Sequence, residues 1–272
     1  MRNLLCAGFF RLRRNQVFWI CTAAMLVFSA GMMVVWCQED AAKGFVRDLD
    51  TFYFRPSLGV GLVYSVFSCL FLSVEHSEGT IRNKLVVGHA RRDVYLSNLL
   101  TVFAASLCMA LAWLVGSCAG IPFLGFLKLP PAGIALCIAV IIGFTASFSA
   151  IFTFIGMLNN RRSATVITLL VWLALLLGTS TIDNALYEPE FSNSLVLTAE
   201  GTQVLGDLEP NPNYISGIQR EIYEFIIDFL PTGQVGRLPN AAHPVRMLLS
   251  SLFITISTTA GGIFLFRGKN LK

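Results

Sequence analysis

The chain has 272 residues, 55% of them hydrophobic and 13% charged, with a formal net charge of +4. A soluble domain averages roughly 45–50% apolar and about 25% charged residues, so an ordinary water-soluble globule is excluded. The apolar residues fall in long unbroken runs, which excludes the short alternating segments of a β-barrel, and the small net charge gives no reason to expect a nucleic-acid partner.

The chain opens with MRNLLCAGFFRLRRN. On a helix Leu5, Phe9 and Leu12 share one face, and Arg2, Arg11, Arg13 and Arg14 spread around the rest. This pattern suits a helix lying in the membrane interface with its arginines toward headgroups. The plainer alternative is a positive flank to a membrane anchor. The apolar run that follows is too long for a signal peptide and lacks a small-x-small cleavage site, so it is expected to be the first span.

Six runs reach the roughly 20 residues needed to cross a ~30 Å hydrocarbon core. They are Val17–Cys37, Ser57–Val74, Val94–Ser117, Ala132–Leu158, Ser163–Ile182 and Met247–Phe266, and none contains Asp, Glu, Lys or Arg. The expectation is an all-α polytopic membrane protein of six spans, forming a single domain over residues 1–272.

Between the second and third runs lies EHSEGTIRNKLVVGHARR, Glu75 to Arg92. Thr80 can cap a short helix and Gly88 can end it. Ile81 and Leu85 stand one turn apart, with Arg82 and Lys84 beside them. A loop that only fixes topology needs lysine or arginine. It does not need Ile81, Leu85, Val86 and Val87, which are unfavourable facing water. The segment therefore reads as a plug with an apolar tip and a charged collar, shaped for a groove on a soluble partner.

In the fourth run Thr145, Ser149 and Thr153 repeat every four residues; in the sixth Ser251, Thr255, Thr258 and Gly262 do much the same. Such faces let helices approach closely and hydrogen-bond, or else line a transport path.

The long loop from Asp183 to Pro244 is more than a connection. Ile215, Ile218, Ile222, Phe225, Ile226 and Phe229 recur at helical spacing, with Asn213 able to cap the start and Pro231 and Gly233 to stop it. An amphipathic helix of about four turns is expected there, against the spans or dipped into the leaflet. It would be either a gate that meets substrate or a lid over the span ends. The preceding YEPEFSNSLVLTAEGTQVLGDLEP holds either short strands or irregular loop.

Sidedness follows from the basic residues. With the N-terminus inside, thirteen of the 20 lysines and arginines and only three acids lie on the inner side, against seven and thirteen outside. This satisfies the positive-inside rule and puts both termini in the cytoplasm of a plasma-membrane protein. Residues 75–92 are then cytoplasmic and residues 183–244 extracellular.

Several chemistries have no residues to carry them. His76, His89 and His243 lie outside the spans, and no H-E-x-x-H motif or phosphate-binding loop is present. No ionisable group sits at membrane depth, as ion-coupled transporters usually require. A disulfide between Cys37 and Cys118 is not expected, nor is a zinc site.

The order of these parts resembles the membrane subunit of an ATP-binding-cassette exporter of the ABC type 2 class. The order is a basic interfacial helix, two spans, E-G-T-I-R-N-K-L with a downstream R-R, three spans, an outer amphipathic helix ending F-L-P, and a last span. Glu78 to Leu85 carries the most specific part, and Gly88 to Arg92 extends it. The resemblance implies that Thr80–Val87 is the coupling helix seated in an ATPase cleft, with Glu78, Arg82, Arg91 and Arg92 as rim contacts. It implies two ATPase subunits and a second permease copy, as homodimer or related heterodimer, besides membrane lipid. The chain itself would be no enzyme and bind no cofactor directly, ATP and Mg belonging to the partner. Uncharged spans suit a hydrophobic or amphipathic cargo. A membrane sensor or immunity-type protein that binds without transport, and an intramembrane enzyme, are the competing classes.

Overall fold

A computed structural model describes residues 1–43, 49–54, 59–159, 161–192, 195–198, 201–204, 209–238 and 243–269. The expected Ser57 and Leu58 at the second span's start, and the last three residues of the basic tail, lie outside the described residues.

The chain begins with helix α1 (Arg2–Arg14) and turns at Asn15 into α2 (Gln16–Lys43). The Asn15 side-chain oxygen accepts the Phe18 N–H at 3.0 Å, capping α2. The short α3 (Leu49–Tyr53) precedes α4 (Val60–Ser77) and α5 (Thr80–Val86). Then come α6 (Arg91–Ser117), a 3₁₀ turn at Cys118–Gly120, α7 (Ile121–Leu124), α8 (Pro131–Leu158) and α9 (Arg161–Tyr187). After a β-containing segment follow α10 (Gly217–Phe229), α11 (Pro231–Arg237) and α12 (Pro244–Gly268).

Among the described residues five stretches are long and apolar enough to cross a membrane: Gln16–Glu39, Arg91–Leu124, Pro131–Leu158, Ser163–Tyr187 and Pro244–Gly268. The 18-residue α4 makes a sixth only when taken with α5 across a 54° bend. The chain is a multi-pass membrane protein.

Helices α6 and α8 occupy the centre. The first packs on α1, α2, α8 and α12, and the second on α4, α9, α11 and α12. Tyr64, Tyr95, Trp113, Phe144, Phe148 and Phe152 fill the interior and are fully buried. By contrast, α9 leaves Val166, Leu170 and Leu177 exposed, and α12 leaves Leu249, Phe253 and Phe264 exposed. A bilayer solvates such side chains without penalty, so interior packing rather than burial of apolar surface must hold these helices together.

The hydroxyl faces serve that packing. Thr145, Ser149 and Thr153 are buried. The hydroxyls of Thr145 and Tyr64 meet at 3.4 Å. Ser147 donates to the Ser251 carbonyl at 3.0 Å, joining α8 to α12. Gly262 is where α12 meets α6, and a Cβ there would come within 2.1 Å of the Tyr95 hydroxyl.

Helix α1 corrects one expectation. It buries Leu4, Gly8 and Leu12, whereas Phe9 is exposed and Leu5 half-buried. A Cβ on Gly8 would lie 2.5 Å from the Thr101 hydroxyl, so the glycine marks the face that α6 approaches.

The all-α expectation needs a small addition. The segment after α9 forms two antiparallel two-stranded ladders, β1 (Phe191–Ser192) with β4 (Glu209–Pro210) and β2 (Leu195–Thr198) with β3 (Gly201–Val204). Among the described residues no two cysteines are joined as a disulfide.

Candidate functional site

The end of the bundle that carries α1 also carries α5. A seven-residue helix is too short to persist alone, and three local features hold this one. Gly79 sits at its N-cap with φ +64°, a conformation that L side chains rarely adopt, and turns the chain out of α4. Gly88, φ +99°, ends it. The Gly88 N–H donates to Leu85 O at 3.0 Å and the His89 N–H to Lys84 O at 3.2 Å, the bond pair of a Schellman stop. Thr80, expected as the cap, is the first helical residue instead, and its hydroxyl donates to the Glu75 carbonyl at 3.1 Å.

The apolar residues of α5 divide in a way the spacing did not reveal. Ile81 was expected on an exposed tip, yet it is only 2% exposed and belongs to the bundle core, with Leu85 packed against it. These two side chains fasten α5 to its own chain. Val86 and Val87 are each 79% exposed and form the uncovered tip. Arg82 and Asn83 are exposed beside them, as are Glu78 and Arg92.

Two of the expected coupling cations, Arg91 of the rim and Lys84 of the collar, are occupied within the chain. Arg91 donates to the carbonyls of Phe266 at 3.0 Å and Lys269 at 2.6 Å, closing off the end of α12. Lys269 in turn donates to the Met157 carbonyl at 3.0 Å, at the end of α8. Lys84 donates to the carboxylate of Glu75. Arg92 has Asp93 at 3.9 Å, a loose surface pair.

Glu75 is the residue that sequence reasoning missed. It is 1% exposed, one residue beyond an uncharged span. Its Oε1 accepts from both Arg11 of α1 and Lys84 of α5, and its Oε2 accepts from the Asn98 side-chain amide of α6 at 2.5 Å. A buried carboxylate costs several kcal/mol unless paired and hydrogen-bonded. Here both oxygens are satisfied by groups from three other helices. Arg11 lies over the Phe71 ring, 3.9 Å from its centroid. Burial pulls the Arg11 guanidinium below its usual range, and the Glu75 charge opposes that shift.

At the opposite end α10 and α11 form a hairpin. Ser216, rather than Asn213, precedes α10, and Pro231 stops that helix only to open the next as its first residue. Ile218, Ile222 and Phe225 are exposed, Ile215, Ile226 and Phe229 half-buried, and Ile227 and Asp228 buried. Phe229 reaches Phe253 of α12 with ring centroids 6.2 Å apart. Residues 231–235 of α11 are buried. The Gln234 amide donates to the carbonyls of Asp228 at 2.9 Å and Met247 at 3.0 Å, and its oxygen accepts from Ser251 at 2.7 Å. Arg246 pairs with Asp228 and Arg237 with Asp183. A shallow polar cleft of about 100 Å³ between α9 and α11 is lined by Thr179, Asp183, Asn184 and Thr232.

A bundle whose apolar runs carry no charged residue, with a short, fixed helix projecting at one end, suits a membrane subunit moved from outside. The family model described as ABC-2 family transporter protein matches residues 4–182. The chain belongs to the ABC-2 transporter family. The match spans α1 to α9 and includes Glu75–Arg92, while α10 to α12 lie beyond it. No curated protein matches the chain. As an ABC-2 permease it is a transporter membrane subunit rather than an enzyme, of a kind that works with an ABC ATPase.

Proposed function

We propose that this permease is the membrane half of an ATP-driven exporter and that α5 is the helix through which a separate ATPase moves it. The carrying observation is the division of α5: Ile81 and Leu85 bind it to the bundle, and Val86 and Val87 stand exposed. Docking through the valine tip, with Glu78, Arg82 and Arg92 at the rim, leaves the internal anchors intact. Because α5 joins α4 to α6 and is tied to both, motion imposed on the tip passes to these two helices as a rigid-body tilt.

The remaining assignments come from the charge distribution and the family. Residues 1–272 form one permease domain with the N-terminus, residues 75–92 and the C-terminus in the cytoplasm of the plasma membrane. Six spans cross, α4 counting as the second, α1 lies on the inner interface, and the α10–α11 hairpin is extracellular. Two permeases, alike or related, assemble with two ATPases that hold ATP and Mg. The uncharged interior favours a hydrophobic or amphipathic cargo.

Double substitution of Val86→Asp and Val87→Asp tests the reading. Both sites are solvent-facing, so the melting temperature should hold while stimulation of the ABC ATPase that assembles with the permease falls to background. Full stimulation by a correctly inserted double mutant would overturn α5 as the docking element.

A further inference from the structure

Helix α1 contains four arginines and no acid. Arg2, Arg13 and Arg14 are exposed, and beside them Phe9 and Phe10 are 45% and 61% exposed. The Arg14 guanidinium lies 4.7 Å from the Phe10 ring. The opposite face, Leu4, Gly8 and Leu12, is closed against α6. The helix therefore presents uncovered aromatic rings and positive charge together, continuous through a single residue with the apolar wall of α2. That combination fits a membrane surface of anionic phospholipid. The rings enter the acyl boundary, and each arginine favours an anionic surface about fivefold.

Arg11 alone among the four is turned inward. It reaches the one carboxylate that also holds Lys84 of α5. We propose that Glu75 makes the coupling helix responsive to the lipid under α1: anionic headgroups seat α1, and the Arg11–Glu75–Lys84 link transmits that seating to α5. Two observations carry this independently, the unpartnered basic and aromatic face of α1 and the shared, buried carboxylate. Neither follows from the family's ATPase partnership. The physical requirement is that Glu75 be held in place by both cations, since a carboxylate released by Arg11 holds Lys84 with one fewer constraint. Arg11 is thus a positioning residue that acts on α5 through Glu75.

The proposal rests on α5 being a functional element but needs no ATPase for its test. The full-length permease is placed in nanodiscs of phosphatidylcholine, with or without about one-third phosphatidylglycerol, and backbone hydrogen exchange is followed by mass spectrometry. Anionic lipid should slow exchange across residues 2–14 and also, by roughly threefold or more, across residues 80–87. Inorganic phosphate added to phosphatidylcholine discs should reproduce neither effect. In Arg11→Gln the response of α1 should remain and that of α5 disappear; Glu75→Gln should do the same from the other side of the link. Equal α5 exchange in the two lipids for the wild type overturns the proposal without recourse to any variant. So does an α5 response that survives in Arg11→Gln. Loss of ATPase stimulation in the valine mutant tests docking alone, so the two readings fail separately.

Discussion

The two ends of the bundle each bury one carboxylate, and they use it differently. Glu75 is shared by donors from α1, α5 and α6, elements separated by as many as 87 positions in the chain. Asp228 has the Arg246 side chain of α12, Asp183 of α9 has Arg237 of α11, and the neutral Gln234 amide ties α11 to the carbonyls of Asp228 and Met247 and to Ser251. Charge-assisted ties among separate helices can be loosened by moving any one helix. At the other end each ion pair joins only two helices, and the Gln234 amide adds neutral ties from α11 to α10 and α12. The comparison teaches that the α1 end gathers three helices onto one carboxylate, while the α10 end spreads its ties over separate pairs.

The sharpest way to break this contrast is Glu75→Ala. It leaves Arg11 and Lys84 near each other with no counter-charge between them. A loss of about 3–5 kcal/mol is expected, read as a marked fall in melting temperature of the purified protein by intrinsic tryptophan fluorescence. Little change would mean that water or lipid already screens the pair. Gln234→Ala should follow at about 2 kcal/mol, since two buried carbonyls lose their donor. Hydrogen exchange should quicken in residues 231–237 and stay unchanged in 80–87; a change in α5 would show that the two ends are not independent. The smallest effect is expected from Gly79→Ala, where a left-handed conformation costs an alanine roughly 1–2 kcal/mol. The consequence should be confined to faster exchange over residues 80–87, with the global melt almost unmoved.

Much of this was legible in the residues. The six apolar runs stand within the observed helices wherever the structure describes them, because the bilayer's length requirement leaves few alternatives. The ends of α5 were readable to within a residue because Thr80 and Gly88 mark them. Which face of α5 points outward was not readable: Ile81, Val86 and Val87 are equally apolar, and only the packing of α4 and α6 separates anchor from tip. The α1 face was misjudged for a related reason. Leucines and phenylalanines stand on more than one face of α1, and the glycine at position 8, which admits Thr101, carries no hydrophobic signal. Helix α11 was hidden because PTGQVGR has no periodicity and its proline reads as a stop. Glu75 was hidden because an acid just past a span looks solvated, and its partners Arg11 and Asn98 are distant in the chain. Its one trace in the sequence is rarity, as one of three acids on a side rich in cations.

Arg91 has a place in the bundle besides the rim position that the resemblance implied. By grasping the carbonyls of Phe266 and Lys269, it yokes the first turn of α6 to the last turn of α12, and Lys269 extends the yoke to Met157 on α8. If α5 docks as proposed, a push at the valine tip meets three helices fastened into one plank, and α12 travels with α6 instead of absorbing its tilt.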